Sequence, residues 1–272
     1  MSEATDEQVR ALIVEHHGKQ LAACKALASF AAGALQAWSG RPIKRGADRI
    51  IVAEAARATK TFDGVIGLCE TGFGEQAVML NRSLFEGMAV AHWVSDNRRA
   101  AVGLFTRHAR FHALLWHETF TALGWLEDAD IEPLGALGPK QRREFVDLFG
   151  RYGERPWVQR NLPGLLRAIE HLWDEEGRAH LWTHHDVAHR HSNQILHSTA
   201  TAFAAATVGQ THAALHMAIG PSNRLVVQAL LSAYWTYGQL FSLLVDVFKL
   251  SSREAFHAVY QSGFETFRQS QD

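Results

Sequence analysis

Six of the sixteen histidines lie between His180 and His197, in the stretch AHLWTHHDVAHRHSNQILHST. Imidazole changes charge near neutral pH and is a common metal ligand, so such a cluster suits proton transfer, metal binding or both. Read as an α-helix from about Asp186, the stretch places Asp186, Arg190, Asn193 and His197 at steps of four, three and four, along one stripe. A carboxylate, a guanidinium, an amide and an imidazole in line describe a polar site inside a helical protein. The small apolar run ATAFAAA follows at once, as expected beside a core. His185, His189 and Ser192 form a second face, which this reading turns toward solvent.

A second polar pair interrupts an apolar face upstream. Met79, Arg82, Glu86, Val90 and Trp93 share a helical stripe, with Phe85 and Ala89 alongside. Arg82 and Glu86 are then an i,i+4 ion pair. The plain reading is a partly exposed surface bridge. The sharper one is a pair lining a central polar pocket, where burial perturbs pKa values and marks a functional site.

Two imidazoles one turn apart can chelate zinc or iron, and His180–His184 and His185–His189 have that spacing. Glu86, Glu118 and Glu170 are carboxylates able to complete such a set. Against it, the chain has no HExxH and no paired Glu-x-x-His helices, and isolated HxxxH pairs arise by chance in a histidine-rich chain. No cofactor is expected, and these four histidines stay as secondary metal candidates. Dinucleotide, P-loop and nucleophile-elbow motifs are missing. Residues 151–173 join Trp157 and Trp173 to Arg151, Arg155, Arg160 and Arg167, and Trp125 lies upstream. They could stack on RNA, but a loop covering the core would look the same and is preferred.

The elements that position these groups read as helices throughout. Ala, Leu, Glu, Gln and Arg dominate, prolines number six, and alternating β-branched runs are few. Helices are expected over about 5–38, 47–70, 75–94, 97–123, 140–152, 165–175 and 186–208, with Gly72 and Gly74 breaking the second from the third and Asp96 capping the fourth. From Leu225 to Val245 no residue is charged, a run of 21 that could span a bilayer. Gln228, Ser232, Thr236 and Gln239 dilute it, so a buried central helix opened by Pro221-Ser222 is the reading, with Tyr234 and Tyr237 turning their hydroxyls to polar partners. Ser251-x-x-Glu254 has the form of a capping box for the last helix. The expected architecture is all-α, one bundle-like domain over 1–272.

Composition narrows the function classes. Net charge is −1, from 27 basic and 28 acidic residues, so no overall field draws the chain to DNA or an anionic membrane. Cys24 and Cys69 form no CxxC pair, and the polar N-terminus MSEATDEQVRAL has no apolar signal segment; a cytoplasmic location is expected.

The residues NRSLFEGMAVAHWVSDN and, more than a hundred positions later, HSNQILHST resemble a bacterial family known as domain of unknown function 5677. The resemblance covers about residues 50–250 and implies an all-helical fold. It maps an Arg-x3-Glu onto Arg82 and Glu86, and a Ser-x4-His onto Ser192 and His197, followed by Ser198. More distantly, the chain is similar to the HEPN superfamily of helical RNases and nucleotide-binding domains, many of which carry Arg-x4–6-His with Asn after the Arg. Arg190, Asn193 and His197 fit the loose spacing, as does Arg107-x4-His112, but Ser192 stands where the tighter motif has Arg.

Together these readings place a site at Arg82, Glu86, Arg190, Asn193 and His197. The chemistry it suits is metal-independent RNA cleavage, with His197 as general acid/base, Arg190 or Arg82 on the phosphorane and Asn193 orienting the phosphate. Two other classes stay open: a non-catalytic module binding a small polar ligand or a partner, in a defence or toxin–antitoxin setting, and a helical metalloprotein using the His180–His197 cluster. RNA or a small polar ligand is the expected partner, with no membrane and no DNA, and a homodimer is left open.

Overall fold

The computed structural model describes residues 5–43, 45–124, 138–196, 207–210, 215–217 and 220–269. The fold is all-α. Helix α1 (Asp6–Trp38) opens on a capping box: Thr5 Oγ1 accepts from Gln8 N at 3.3 Å, and Thr5 N donates to Gln8 Oε1 at 2.8 Å. Its buried Val9, Ile13, Leu21, Cys24, Leu27 and Ala31 recur with helical spacing and face the core. Helices α2 (Gly46–Glu70) and α3 (Gly74–Asp96) are separated by the turn at Gly72, where φ is +85°. Helix α4 (Arg98–Ala122) follows directly. Asp96 closes α3, and Asn97 rather than Asp96 precedes α4.

Helix α5 (Pro139–Phe149) packs on α4 through a satellite cluster of Phe111, Leu114, Phe145 and Phe149. The connection after it covers the core, as expected. Trp157 lies edge-on to Trp93 and Phe105 at 6.0 and 5.3 Å and touches both hydrophobic clusters. Trp125 lies outside the described residues. Helix α6 (Leu162–Ile169) and a 3₁₀ turn lead to α7 (Glu175–His185), capped by Asp174, which accepts from Gly177 N at 2.8 Å. The chain then widens into a π-helical turn, Asp186–His191, before returning to α geometry in α8 (Ser192–Leu196). The helix expected to reach Val208 does not: Thr207–Gln210 pair antiparallel with Leu215–Met217 in a two-stranded ladder, β1 and β2.

Helix α9 (Val226–Phe248) carries the uncharged run, which ends at Val245 before Asp246, and it is enclosed by α1, α2, α3 and α10 (Arg253–Arg268). It begins at Val226, after Leu225 in a left-handed conformation, and Ser222 instead ties its lead-in to the α2–α3 turn by donating from N to Gly72 O at 2.7 Å. Fully buried phenols need partners. Tyr234 Oη donates to Tyr260 O at 2.8 Å, and Tyr237 Oη pairs with Thr59 Oγ1 at 2.9 Å. Burial pushes the Tyr237 hydroxyl up to about 12. Tyr234 and Tyr260 stack at 5.4 Å across the α9–α10 contact, each ring filling the space above a glycine of the other helix, Gly263 and Gly238. The cap of α10 is Ser252, accepting from Ala255 N at 3.1 Å, one residue beyond the expected Ser251. Both cysteines are free and buried. Among the described residues, α1 is long and apolar enough to cross a membrane.

Candidate functional site

Helix α3 sits against α2 and α9 on one side and against the π turn and α8 on another, so most of its circumference is apolar and buried. Arg82 and Glu86 occupy the strip facing the π turn. Arg82 Nε donates to Glu86 Oε1 at 3.1 Å, and Arg82 Nη1 donates to Asn193 Oδ1 at 2.6 Å. His189 Nε2 lies 4.0 Å from the same Glu86 oxygen. Three of the five expected site residues are thus joined: Arg82, Glu86 and Asn193.

Arg190 is not part of this group. Its side chain is 70% exposed and pairs with Asp186 at 3.3 Å. The reason is helical phase: i→i+5 bonding through the π turn adds a residue to that turn, so the α-helical stripe through Asp186, Arg190 and Asn193 does not hold. His197 lies outside the described residues, as do the side chains of the apolar run after it.

The same change of phase overturns the expectation that His185, His189 and Ser192 face solvent. His185 and Ser192 are buried, and His189 is mostly covered. His189 stacks on His185 at 5.2 Å, and His185 also meets Phe85 and Trp182. Burial, then the Arg82 cation and His185, hold the His189 imidazole below its usual pKa, against the pull of Glu86. At neutral pH it is an uncharged base beside a guanidinium. Ser192 Oγ is committed to the backbone, at 2.5 Å from Ala188 O and 3.1 Å from His189 O.

The remaining histidines diverge. His180 is 42% exposed and 3.8 Å from Glu176, whereas His184 is buried, stacked on Trp235 at 4.3 Å with its rings 11° from parallel. Among the described residues no three His, Cys, Asp or Glu side chains are arranged to hold a metal ion. Glu170 instead accepts from Trp182 Nε1 at 3.0 Å, and the Glu118 side chain is not among those described.

Arg82 and Glu86 are less enclosed than a central pocket requires, with side chains 32% and 41% exposed. An ion pair that open contributes little, since water screens it. Glu86→Ala is therefore expected to lower unfolding free energy by less than about 1 kcal/mol, the range for exposed pairs. Urea unfolding would measure it, and a loss several times larger would mean that Arg82 depends on Glu86 as a buried charge does.

One polar cleft escaped the sequence reading. His92, Trp173, Gln239 and Asp246 line a space of about 430 Å³ between α3, the 3₁₀ turn and α9. His92 is buried, 3.3 Å from Gln239 O and 4.8 Å from the Trp173 ring, and Trp173 Nε1 donates to Gln239 Oε1 at 3.0 Å. Only its position on the inner face of an apolar helix distinguished His92 in the sequence.

A family model described as "Family of unknown function (DUF5677)" matches residues 48–210. No curated protein and no solved structure matches. The matched span holds Arg82, Glu86, His189 and Asn193 and ends before α9, short of the expected limit near residue 250.

Proposed function

Because the chain belongs to the DUF5677 family, whose description assigns no activity, its function rests on its own residues, and we propose that the Arg82–Glu86–His189–Asn193 cluster binds and cleaves single-stranded RNA without a metal. One observation carries this reading: the π turn sets a neutral imidazole next to a guanidinium that already holds an amide in place. π turns interrupt α-helices rarely and often where function requires it.

The roles follow from the bonds left open. Arg82 Nη2 has no partner among the described residues and would take a phosphate oxygen, while the Asn193 amide nitrogen, its oxygen being used by Arg82, would donate to a second. His189 takes the proton from the ribose 2′-hydroxyl, and the 2′-oxygen attacks the adjacent phosphorus. The bond from phosphorus to the 5′-oxygen breaks, and His197, four residues beyond Asn193, gives the leaving oxygen its proton. The products are a 2′,3′-cyclic phosphate and a 5′-hydroxyl. Ser192 cannot replace the guanidinium that the HEPN motif has there, because its hydroxyl is buried and bonded to the backbone, so phosphate stabilisation falls to Arg82.

The test is incubation of the purified protein with a single-stranded RNA oligonucleotide in EDTA. Cleavage is expected, with cyclic phosphate ends, and none in DNA of the same sequence, which lacks the 2′-hydroxyl. His189→Ala and His197→Ala should each slow it by about a hundredfold or more, the usual weight of a general acid or base. A folded protein that cleaves no RNA overturns the reading in favour of a non-catalytic module. Activity abolished by EDTA and restored by one metal overturns it in favour of a metalloprotein.

A further inference from the structure

Helices α7, α9 and α10 and the π turn surround a cavity of about 460 Å³, lined by none of Arg82, Glu86, His189 or Asn193. That volume is in the range of small-molecule sites. Val187, Leu231, Phe264 and Phe267 supply apolar wall, and His184 and Ser232 supply polar groups. Two of those polar atoms are anomalous. Among the described residues, His184 Nδ1 and Ser232 Oγ have no hydrogen-bond partner, though their residues are only 6% and 1% exposed.

A hydroxyl in a helix often bonds the carbonyl four residues back, as buried Ser192 does at 2.5 Å and half-buried Thr59 at 2.9 Å. Ser232 and Thr236, both buried in α9, do not, and of the two Ser232 lines the cavity. Leaving a buried donor or acceptor unmatched is costly, so two of them lining one cavity need an explanation. Burial holds His184 far below its usual pKa, at about 3, so its ring is neutral and offers one donor and one acceptor. The charged residues of the lining are turned outward, Glu176 with a side chain 88% exposed and Arg268 69% exposed and bonded to Glu265. Among the described residues, no desolvated charge meets the cavity.

We infer that this cavity binds a small uncharged amphipathic molecule, an aromatic or branched-alkyl body bearing one hydroxyl or carbonyl, with His184 and Ser232 holding the polar end and Val187, Leu231, Phe264 and Phe267 the body. The site is separate from the RNA reading and stands or falls without it.

The probe is 2-naphthol, titrated into the full-length protein and followed by its own fluorescence, with naphthalene and naphthalene-2-sulfonate as controls. Saturable binding of one 2-naphthol per chain is expected, at least tenfold tighter than either control. Ser232→Ala should weaken 2-naphthol about tenfold, leave naphthalene unchanged, and keep or raise the melting temperature, because it deletes an unmatched hydroxyl. Leu231→Trp fills the space and should abolish binding. Absence of saturable binding to the folded wild type overturns the inference. So does an unchanged 2-naphthol affinity in Ser232→Ala, or a lowered melting temperature there, which would mark Ser232 as merely structural.

Discussion

Acidification from pH 7 to pH 5 is expected to cost the fold about 4 kcal/mol through two histidines, His92 and His184, at about 1.4 kcal/mol per pH unit and per group. Both are buried, and desolvation dominates each shift, pushing His92 from 6.5 down to about 4 despite its bond to Gln239 and pushing His184 down to about 3. Above pH 6.5 these imidazoles are neutral whether the chain is folded or not, so the fold keeps its full stability. Below it the unfolded chain takes up protons that the native state refuses, and stability falls with pH until about 4 for His92 and about 3 for His184. His108, more open and beside His112, adds less. Urea unfolding at the two pH values measures the effect, and His92→Gln should remove about half of the difference while leaving the His184 share. Equal stability at pH 7 and pH 5 would mean that these rings are hydrated, or paired, in solution.

Gly74→Ala should be the most damaging single methyl in the chain, at roughly 3 kcal/mol or more, the upper range for overpacking. Gly74 starts α3 where the lead-in to α9 crosses it. A Cβ there would collide with Arg224 O and lie 2.7 Å from Val226 N and 2.9 Å from Leu225 C. All three are backbone atoms, so no side-chain rotation relieves the overlap, and Leu225 is already left-handed at φ 59°. Gly33 in α1 is the control. A Cβ there meets nothing within 4 Å, and Gly33→Ala should stabilise by about 0.5–1 kcal/mol through helix propensity. Thermal melts of the two variants should shift in opposite directions; a neutral Gly74→Ala would mean that α3 and α9 do not meet so closely.

How much of this was legible from the residues depends on what fixes each feature. Hydrophobic periodicity and glycine breaks are local, so α1 to α4, the turn at Gly72 and the burial of the uncharged helix with both phenols satisfied could be read directly. Caps were legible to within a residue: serines at 251 and 252 compete for one role, and geometry selects Ser252. The Arg82–Glu86 pair and its approach to Asn193 were foreseen, because polar groups on apolar stripes seek each other. The exposure of Arg190 and the burial of His185 and Ser192 were not, since every stripe assumed 3.6 residues per turn and no side-chain pattern announces an i→i+5 bond. His189 was lost for that reason.

The π turn also makes the site a matter of winding rather than of composition. A π turn takes up one residue more than an α turn while the helix on either side keeps its phase, so Asn193 stays opposite Arg82 only while that residue remains bulged within Asp186–His191. Relaxation of the same residues to ordinary α-helix would swing everything after them by about 100° about the axis, the angle each residue subtends, and Asn193 would leave Arg82 with every side chain of the cluster still in the chain. Loss of Val187 or Ala188 would instead close the bulge and leave Asn193 on its face, so a three-nucleotide deletion in the gene can be silent here where a change of winding is not. Related chains could therefore differ by one residue between α7 and Asn193 and still share the cluster, provided the shorter ones run through this segment as plain α-helix.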